Sequence, residues 1–319
     1  MSSIDTHDLT EADTLSRRLI FLLPVAAALV VWSWWTPYPV VSWLLMLPIA
    51  YFFLCATSLY HEFTHRHNHF RCLAWAKVIG TIIVTPATAY RETHVRHHAY
   101  LNKPADWELW PYSDPGRSRT FRRVFAWFDI FFGFVTSPLI YGRIYWSKKS
   151  PLSAAVRRQI TIEYLASIVF WVVVLGAVHR YGEWMEFGRS VLLPWWLAGV
   201  MQTLRKFTEH LGMSSFDPLE GTRTVHGGNA FTQLCSYLNS DIFVHGPHHR
   251  SPMVTADELD AFATELRNQP RPLPFYGNYA SALRAMLPHL LRNPGCGENA
   301  TKEPHTFSPQ SSTTAVAQS

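Results

Sequence analysis

Long apolar runs alternate with polar, histidine-containing segments along this chain. The first two runs cover residues 19–35 and 40–60, and only Thr36-Pro37-Tyr38-Pro39 separates them. A helix over the first run would be about 26 Å long, close to the roughly 30 Å thickness of a bilayer core. So short a proline-containing connection predicts a transmembrane hairpin, which returns the chain to the side from which it started.

Two later runs predict a second hairpin, with spans at residues 160–178 and 190–204. The segments between the two hairpins are less apolar. Residues 75–90 favour an interfacial or re-entrant pair of helices, and residues 121–146, which mix aromatic and charged side chains, favour a helix at the membrane surface. We therefore expect an all-α integral membrane protein, with four transmembrane helices in two hairpins and a cytosolic helical cap.

Composition and charge support a membrane protein. Hydrophobic residues make up 48% of the chain and charged residues only 16%, whereas soluble domains carry about a quarter charged residues. The net charge is +5, but no run of Lys and Arg indicates a nucleic-acid partner. Basic residues lie before the first and third spans and after the second and fourth. The positive-inside rule therefore places both termini and the cap in the cytoplasm of a multi-pass protein, which we expect in a bacterial inner membrane.

The chain divides into a cytoplasmic leader (residues 1–18), a membrane domain (19–292) and a Ser-, Thr-, Pro- and Gly-rich tail (293–319) that we expect to be disordered. The four cysteines are scattered and form no CxxC pair, which argues against a zinc ribbon, a rubredoxin-type iron site or a disulfide framework. No dinucleotide-binding glycine motif is present, so reducing equivalents must come from another protein.

Three histidine clusters lie at the ends of spans and in polar segments: His61-Glu62-Phe63-Thr64-His65, His94-Val95-Arg96-His97-His98 and His245-Gly246-Pro247-His248-His249. Residues at i, i+3 and i+4 share one face of a helix, so the rings of each of the first two clusters can converge. In the third cluster, a turn is expected to open a helix at Pro247. An HxxHH pattern is expected about 0.04 times by chance in a chain of this composition. Two occurrences therefore indicate a metal site, for which imidazole is a good neutral ligand.

Two other kinds of protein would use such histidines. The first cluster is a literal HExxH, the zinc-protease motif in which Glu62 would act as general base. That interpretation needs only one further ligand and leaves both HxxHH clusters unexplained. A metal transporter is the second alternative, but its ligands are expected inside the spans rather than at their ends.

The order HxxxH, HxxHH, HxxHH around two hairpins resembles the membrane fatty acid desaturase/hydroxylase superfamily, over residues 40–255. Asn102, Asp106 and Glu108 follow the second cluster much as an asparagine and acids do in these enzymes. His210 lies just after the last span, where family members place an additional histidine ligand. Acyl-CoA desaturases have an asparagine four residues before that histidine to hold an iron-bound water, but this chain has Lys206.

The resemblance implies a non-haem centre of two iron ions, with O2 as co-substrate. Carried over position by position, the ligands are His61, His65, His94, His97, His98, His210, His245, His248 and His249. Ligating imidazoles usually need hydrogen-bonding partners of their own. The candidates for this supporting role are Glu62, Asn102, Asp106, Glu209 and Asp241.

The implied activity is O2-dependent attack on an unactivated C–H bond of a lipid chain, and we expect it to introduce a double bond into a fatty acyl chain. Hydroxylation or ketolation of a lipid or hydrocarbon, and alkene-forming decarboxylation of a fatty acid, use the same histidine motifs and stay open. The chain shows no haem-binding or ferredoxin motif. A separate electron donor of the ferredoxin, rubredoxin or cytochrome type is therefore expected.

Overall fold

Helices form almost all the regular structure in the computed structural model of this protein, which describes residues 6–300. The helices are α1 (Thr6–Trp35), α2 (Pro39–His65), α3 (Phe70–Ile82), α4 (Ala87–Ala99), α5 (Arg119–Trp146), α6 (Ala154–Tyr181), α7 (Trp184–Phe187), α8 (Leu193–His210), α9 (Ala230–Leu238), α10 (His245–Arg250), α11 (Ala256–Arg267) and α12 (Tyr279–Arg292). A π-helical turn, Gly188–Leu192, joins α7 to α8, and Gly297–Asn299 forms a 3-10 turn. The short strands β1 (Thr224–Val225) and β2 (Phe275–Tyr276) pair in parallel. The predicted all-α class is confirmed.

Four helices within residues 6–300 are long and apolar enough to cross a membrane: α1 over Thr14–Trp35, α2, α5 and α6. The pair α3 and α4, bent by 105°, would add a fifth if it were one span. Three predicted spans, 19–35, 40–60 and 160–178, lie within α1, α2 and α6. The fourth, 190–204, lies mainly in α8, which is not among the four candidates because its last turns carry Arg205, Lys206 and Glu209.

The C-terminal end of α1 contacts the π-helical turn that precedes α8. The hydroxyls of Ser33 and Ser190 lie 2.9 Å apart, and Arg189 Nη2 donates to the Trp34 carbonyl at 3.0 Å. The connection from α6 to α8 therefore lies beside the connection from α1 to α2. From this end α2 runs to His65 and α8 runs to His210. The contacts thus support two hairpins, α1–α2 and α6–α8, with the histidines at the opposite end of the bundle.

Both ends of α5 lie on the histidine side, although this helix meets the length and composition criterion. Near its start, Arg122 Nε donates to the Pro294 carbonyl at 2.9 Å. Near its end, the Tyr141 hydroxyl donates to Glu108 at 2.8 Å, beside the second histidine cluster. A helix whose two ends lie on one side does not cross a bilayer once, so α5 does not replace α8 as a span.

A helix lying at the membrane surface was predicted for residues 121–146. The middle of α5 is instead bent into the bundle. Phe132 has non-helical dihedrals (φ −123°, ψ 28°), which break the helix. Next to this break, the Phe131 carbonyl accepts a bond of 2.8 Å from Trp196 Nε1. Trp196 lies about 21 Å along α8 from His210. Gly133 makes this close approach possible, because a Cβ there would collide with Thr203.

The segment predicted as a leader over residues 1–18 is helical where the structure describes it. The helix α1 begins at Thr6, and Leu15 and Leu19 are fully buried in the same apolar cluster as Leu59 and Phe63 of α2. Packing against α2 therefore extends the first helix well before the predicted span. Residues 1–5 of the leader lie outside the described residues.

The tail predicted to be disordered from residue 293 is packed over residues 293–300. Cys296 is fully buried in an apolar cluster with Tyr112, and Asn299 Nδ2 donates to the Tyr112 carbonyl at 3.1 Å. Composition suggested disorder, but these contacts give the segment a buried place against the loop before α5. Residues 301–319 lie outside the described part of the chain.

The two-hairpin arrangement can be tested by cysteine labelling in intact cells or sealed vesicles. Ser118→Cys and Lys148→Cys flank α5 and should react with a membrane-impermeant maleimide from the same side. Met185→Cys, between α6 and α8, should react only from the opposite side. The four native cysteines make a low background, because three are buried and Cys235 is half-buried. Labelling of positions 118 and 148 from opposite sides would show that α5 crosses the membrane.

Candidate metal centre

Nine histidines meet where α2, α4, α8 and α10 come together at one end of the bundle. The helix α2 ends in the first cluster, α4 carries the second, α8 ends at His210 and α10 carries the third. The helix α10 begins at His245, two residues before the predicted start at Pro247. All nine side chains predicted as ligands are brought together, although they come from positions 61 to 249 of the chain.

The strand β1 fixes the third cluster against the end of α8. Gly246 N–H donates to Thr224 Oγ1 at 3.0 Å, and Val225 N–H donates to the Phe243 carbonyl at 2.8 Å. A Cβ at Gly246 would lie 2.8 Å from Thr224 Oγ1. A side chain at this position of the His-Gly-Pro-His-His motif would therefore require Thr224 to shift, and glycine avoids this crowding between α10 and β1.

The nine histidines divide into two groups, and within each group one nitrogen per ring lies within 4.8 Å of the others. The five-histidine group consists of His61, His65, His94, His98 and His248. The four-histidine group consists of His97, His210, His245 and His249. Adjacent residues on a helix point about 100° apart, which is why the second and third clusters each contribute to both groups.

The Nε2 atoms within each group point towards one another. His94 Nε2 lies 3.0 Å from His98 Nε2 in the five-histidine group, and His210 Nε2 lies 2.8 Å from His245 Nε2 in the other. The buried Nε2 atoms of His61 and His248 have no hydrogen-bond partner among the described residues. Buried polar atoms nearly always have a partner. Both atoms belong to the five-histidine group, and a cation inside that group would satisfy them. The four-histidine group offers nitrogens that converge in the same way, so the donor set fits a pair of metal ions.

Three of the rings are held from behind by buried carboxylates. In each pair Nδ1 lies 2.8 Å from a carboxylate oxygen: His61 on Glu62, His94 on Glu108 and His97 on Asp106. A carboxylate that accepts from Nδ1–H leaves the lone pair on Nε2 and fixes the orientation of the ring. The supporting role predicted for Glu62 and Asp106 would use these contacts.

Burial favours the neutral form of four further rings. Desolvation lowers the pKa of His210, His245, His248 and His249 well below the usual value, and neighbouring positive charge adds to the effect. A neutral imidazole is the form that binds a metal. These rings are therefore ready to act as ligands without first losing a proton.

Two of the predicted supporting residues shape the backbone around the site. Asn102 Nδ2 donates to the carbonyls of Ser215 and Gly221 at 2.8 Å, and its own N–H donates to Asp106 at 3.3 Å. Asp241 adopts a left-handed conformation (φ 54°), and its carbonyl accepts from Val244 N–H at 2.8 Å in the turn before α10. Asn102 thus acts through Asp106, and the supporting role predicted for the Asp241 side chain stays a prediction.

Glu209 and Arg205 form a buried pair on the last turns of α8. Arg205 Nη1 lies 3.5 Å from Glu209 Oε1, and Glu209 Oε2 lies 3.6 Å from His245 Nε2. Burial raises the pKa of Glu209 to about 7, although Arg205 opposes the shift. The predicted supporting position of Glu209 is therefore close to the four-histidine group.

The contact between Glu108 and His94 was missed at the level of sequence. Glu108 was recognised only as part of the acidic segment after the second cluster, yet it bonds His94 and also accepts from the Tyr141 hydroxyl at 2.8 Å. Tyr141 lies in α5, 33 residues further on, so no local pattern could reveal this chain of contacts. The sequence signal was limited to the two acids, Asp106 and Glu108, that follow the second cluster.

The geometry does not favour the zinc-protease alternative. Glu62, the proposed general base, is bonded to Nδ1 of His61. His61 and His65 also share their group with three further histidines, whereas the protease motif needs one further ligand. The HExxH spacing here serves a larger histidine centre.

A cavity of about 260 Å³ begins at both histidine groups and continues between the helices. Its wall follows one face of α8 through Lys206, Gln202, Gly199 and Trp195, at intervals of three or four residues. From His210 to Val191, the last lining residue of this helical segment, the distance is about 28 Å. The lining is mainly apolar away from the histidines, as a site for a hydrocarbon chain requires.

The family model for fatty acid desaturases matches residues 33–279, and the chain therefore belongs to the fatty acid desaturase family. The matched segment contains all nine histidines and all the helices from α2 to α11. A search of curated proteins found no match. The family confirms the resemblance drawn from the histidine motifs. Together with the two histidine groups, it establishes a membrane oxidoreductase of the di-iron desaturase type.

The role of Glu108 can be tested by Glu108→Gln. Loss of the carboxylate should weaken the orientation of His94 and lower metal affinity about 10- to 100-fold, as for other acids behind metal-ligating histidines. The measurement is the metal retained by the detergent-purified protein during dialysis against a graded chelator. Asp114→Asn is the matched control, since Asp114 lies on the same loop but contacts Arg117 at 3.3 Å and Gly116 N–H at 2.9 Å instead of a histidine. Equal retention in both variants would rule out this role.

Proposed function

We propose that this member of the fatty acid desaturase family uses O2 and two iron ions to introduce a double bond into a fatty acyl chain. The observation that carries the proposal is the position of the two histidine groups at the end of a long apolar cavity. Family membership supports the oxidoreductase class and a lipid substrate. The double bond, rather than a hydroxyl group, is the specific part of the proposal.

All nine histidines would hold the iron ions, five around one and four around the other. Iron held there would supply, with O2 and two electrons, the oxidising chemistry that breaks an unactivated C–H bond. The carboxylates of Glu62, Asp106 and Glu108 keep three rings in place by accepting from Nδ1–H. Because these acids are already bonded before a substrate arrives, the site needs little rearrangement to work.

The cavity would align an acyl chain along α8. Apolar side chains of α1, including Leu22 and Ala26, line it, and the stacked rings of Trp171 and Trp195 lie 5.2 Å apart towards its far end. These walls exclude water and leave the chain few positions. The carbon that reacts is then selected by its distance from the end of the cavity, because the methylenes of a chain are chemically alike.

The basic residues support a cytoplasmic location for the histidines. Arg17 and Arg18 precede the apolar run at residues 19–35, Lys148 and Lys149 precede α6, and all lie towards the histidine end of the bundle. In a bacterial inner membrane the positive-inside rule places this end in the cytoplasm. A separate ferredoxin, rubredoxin or cytochrome could then deliver electrons there.

Electrons would enter through the five-histidine group. His65 and His98 are half-buried, whereas the other seven histidines are buried. The edges of these two rings are therefore the part of the centre nearest to a docked protein. The ion-paired residues Arg91, Glu92 and Arg96 of α4 lie at the same surface.

Lys206 replaces the asparagine of the acyl-CoA desaturases, and its contacts also differ from the role of that asparagine. Its ammonium group lies 2.8 Å from Asp129 Oδ2, and Asp129 also accepts from the Tyr112 hydroxyl at 3.1 Å. This cation is held by α5 and is not free to position a water as an asparagine would. We therefore propose an acyl substrate other than the CoA thioester.

The proposed reaction can be tested by lipid profiling of a host that expresses the chain, together with metal analysis. About two irons per chain and new double bonds are expected. His210→Ala should lose the new products and part of the iron, because His210 belongs to the four-histidine group. His179→Ala, at an exposed position on the other side of the bundle, is the control and should keep both. New hydroxyl groups or terminal alkenes instead of double bonds would reject desaturation.

Chain-length selection can be tested within α1. Ala26 lines the cavity and Ala27 is exposed on the outside of the bundle. Ala26→Phe should shorten the preferred acyl chain by filling the cavity, whereas Ala27→Phe should leave the distribution unchanged. The measurement is the chain length of the products from a mixed substrate pool. The same distribution in both variants would show that the acyl chain does not reach Ala26.

A further inference from the structure

The two histidine groups offer unequal numbers of donors. One contains five imidazoles and the other four, and the four members of the smaller group are all buried. The smaller group therefore has one imidazole donor fewer than the larger group. An acidic side chain faces the inner nitrogens of this group.

Glu209 is the acid in this position. It precedes His210 on the last turn of α8 and lines the same cavity as the two histidine groups. Its residue is only 4% exposed. Glu209 Oε2 lies 3.6 Å from His245 Nε2, the atom that also lies 2.8 Å from His210 Nε2 and 3.1 Å from His249 Nε2.

The approach of Glu209 differs from that of the other acids near the histidines. Glu62, Asp106 and Glu108 each bond Nδ1, on the outer edge of a ring. Glu209 approaches Nε2, on the side of the ring that faces the other members of its group. An acid on the outer edge of a ring can only orient that ring. An acid on the inner side can itself bind the metal ion that the rings would hold.

The pairing of Glu209 with Arg205 does not use this inner oxygen. Arg205 Nη1 lies 3.5 Å from Oε1, which has no hydrogen-bond partner among the described residues. Oε2 is therefore available to the four-histidine group while Oε1 stays close to the guanidinium. The two oxygens of one carboxylate can serve both contacts at once.

We propose that the Glu209 carboxylate is a donor to the metal ion held by His97, His210, His245 and His249. The inference rests on the proposed metal centre and completes five donors in each group. It makes the two metal sites chemically different, because one has only neutral nitrogen donors and the other includes an anionic oxygen. Carboxylate oxygen is a suitable donor for iron alongside imidazole.

The test is Mössbauer spectroscopy of the purified protein reconstituted anaerobically with ferrous iron-57. The wild-type protein should bind about two irons and show two components of equal area. In Glu209→Gln, one component should change its parameters or disappear, with iron falling towards one per chain, while the other component stays unchanged. A Glu209→Gln spectrum identical to that of the wild type would overturn the proposal.

Further variants separate metal binding from charge balance. Glu209→Asp keeps the charge opposite Arg205 but withdraws the carboxylate by one methylene, so it should alter the same component. If Glu209 only neutralised Arg205, the double variant Arg205→Gln/Glu209→Gln would regain the wild-type spectrum, and that result would reject the proposal. Persistence of the altered component in both variants supports it. Failure of the wild-type protein to bind iron would instead reject the metal centre itself.

Discussion

Nine imidazoles share one buried site, and the rest of the structure depends on directing their inner nitrogens towards two common points. Burial lowers the pKa of rings such as His245 and His249, so these rings stay uncharged and cannot gain stability by protonation. Buried nitrogens without partners cost free energy, and a cation that binds between them removes this cost. Four helices must therefore end at one place, and buried acids must stand behind the rings to hold them there.

This constraint also explains the mixed character of α8. The first part of the helix lies beside the apolar end of α1, and its last turns carry Arg205, Lys206, Glu209 and His210. A helix that is both a cavity wall and a ligand carrier cannot be uniformly apolar. The bent helix α5 complements it, because Asp129 of α5 pairs with Lys206 at 2.8 Å. Length and apolarity alone therefore select α5 as a span and pass over α8.

Much of the site could be predicted because its information is local. The spacing of His61 and His65, or of His94, His97 and His98, places rings on one helical face whatever the tertiary fold. The division into groups of five and four could not be predicted, since it depends on how α10 meets α4 and α8. The same is true of Glu108 and of the packed segment 293–300, whose partners are distant in sequence. Apolar runs located α1, α2 and α6 correctly but could not show that α5 turns back.

The charged groups at the histidine end of the cavity bear on which part of a substrate reaches the metal centre. Lys206 is paired with Asp129, and Arg205 with Glu209, so the two basic side chains that line the cavity beside the histidines each have an acidic partner. A carboxylate or phosphate head group would have to displace one of these partners and leave a buried acid unpaired, which is costly. A hydrocarbon segment carries no charge and can lie beside the histidines without displacing either acid. The arrangement therefore favours reaction along the chain, with the head group held elsewhere, and it gives the apolar wall of α8 control over which methylene is attacked.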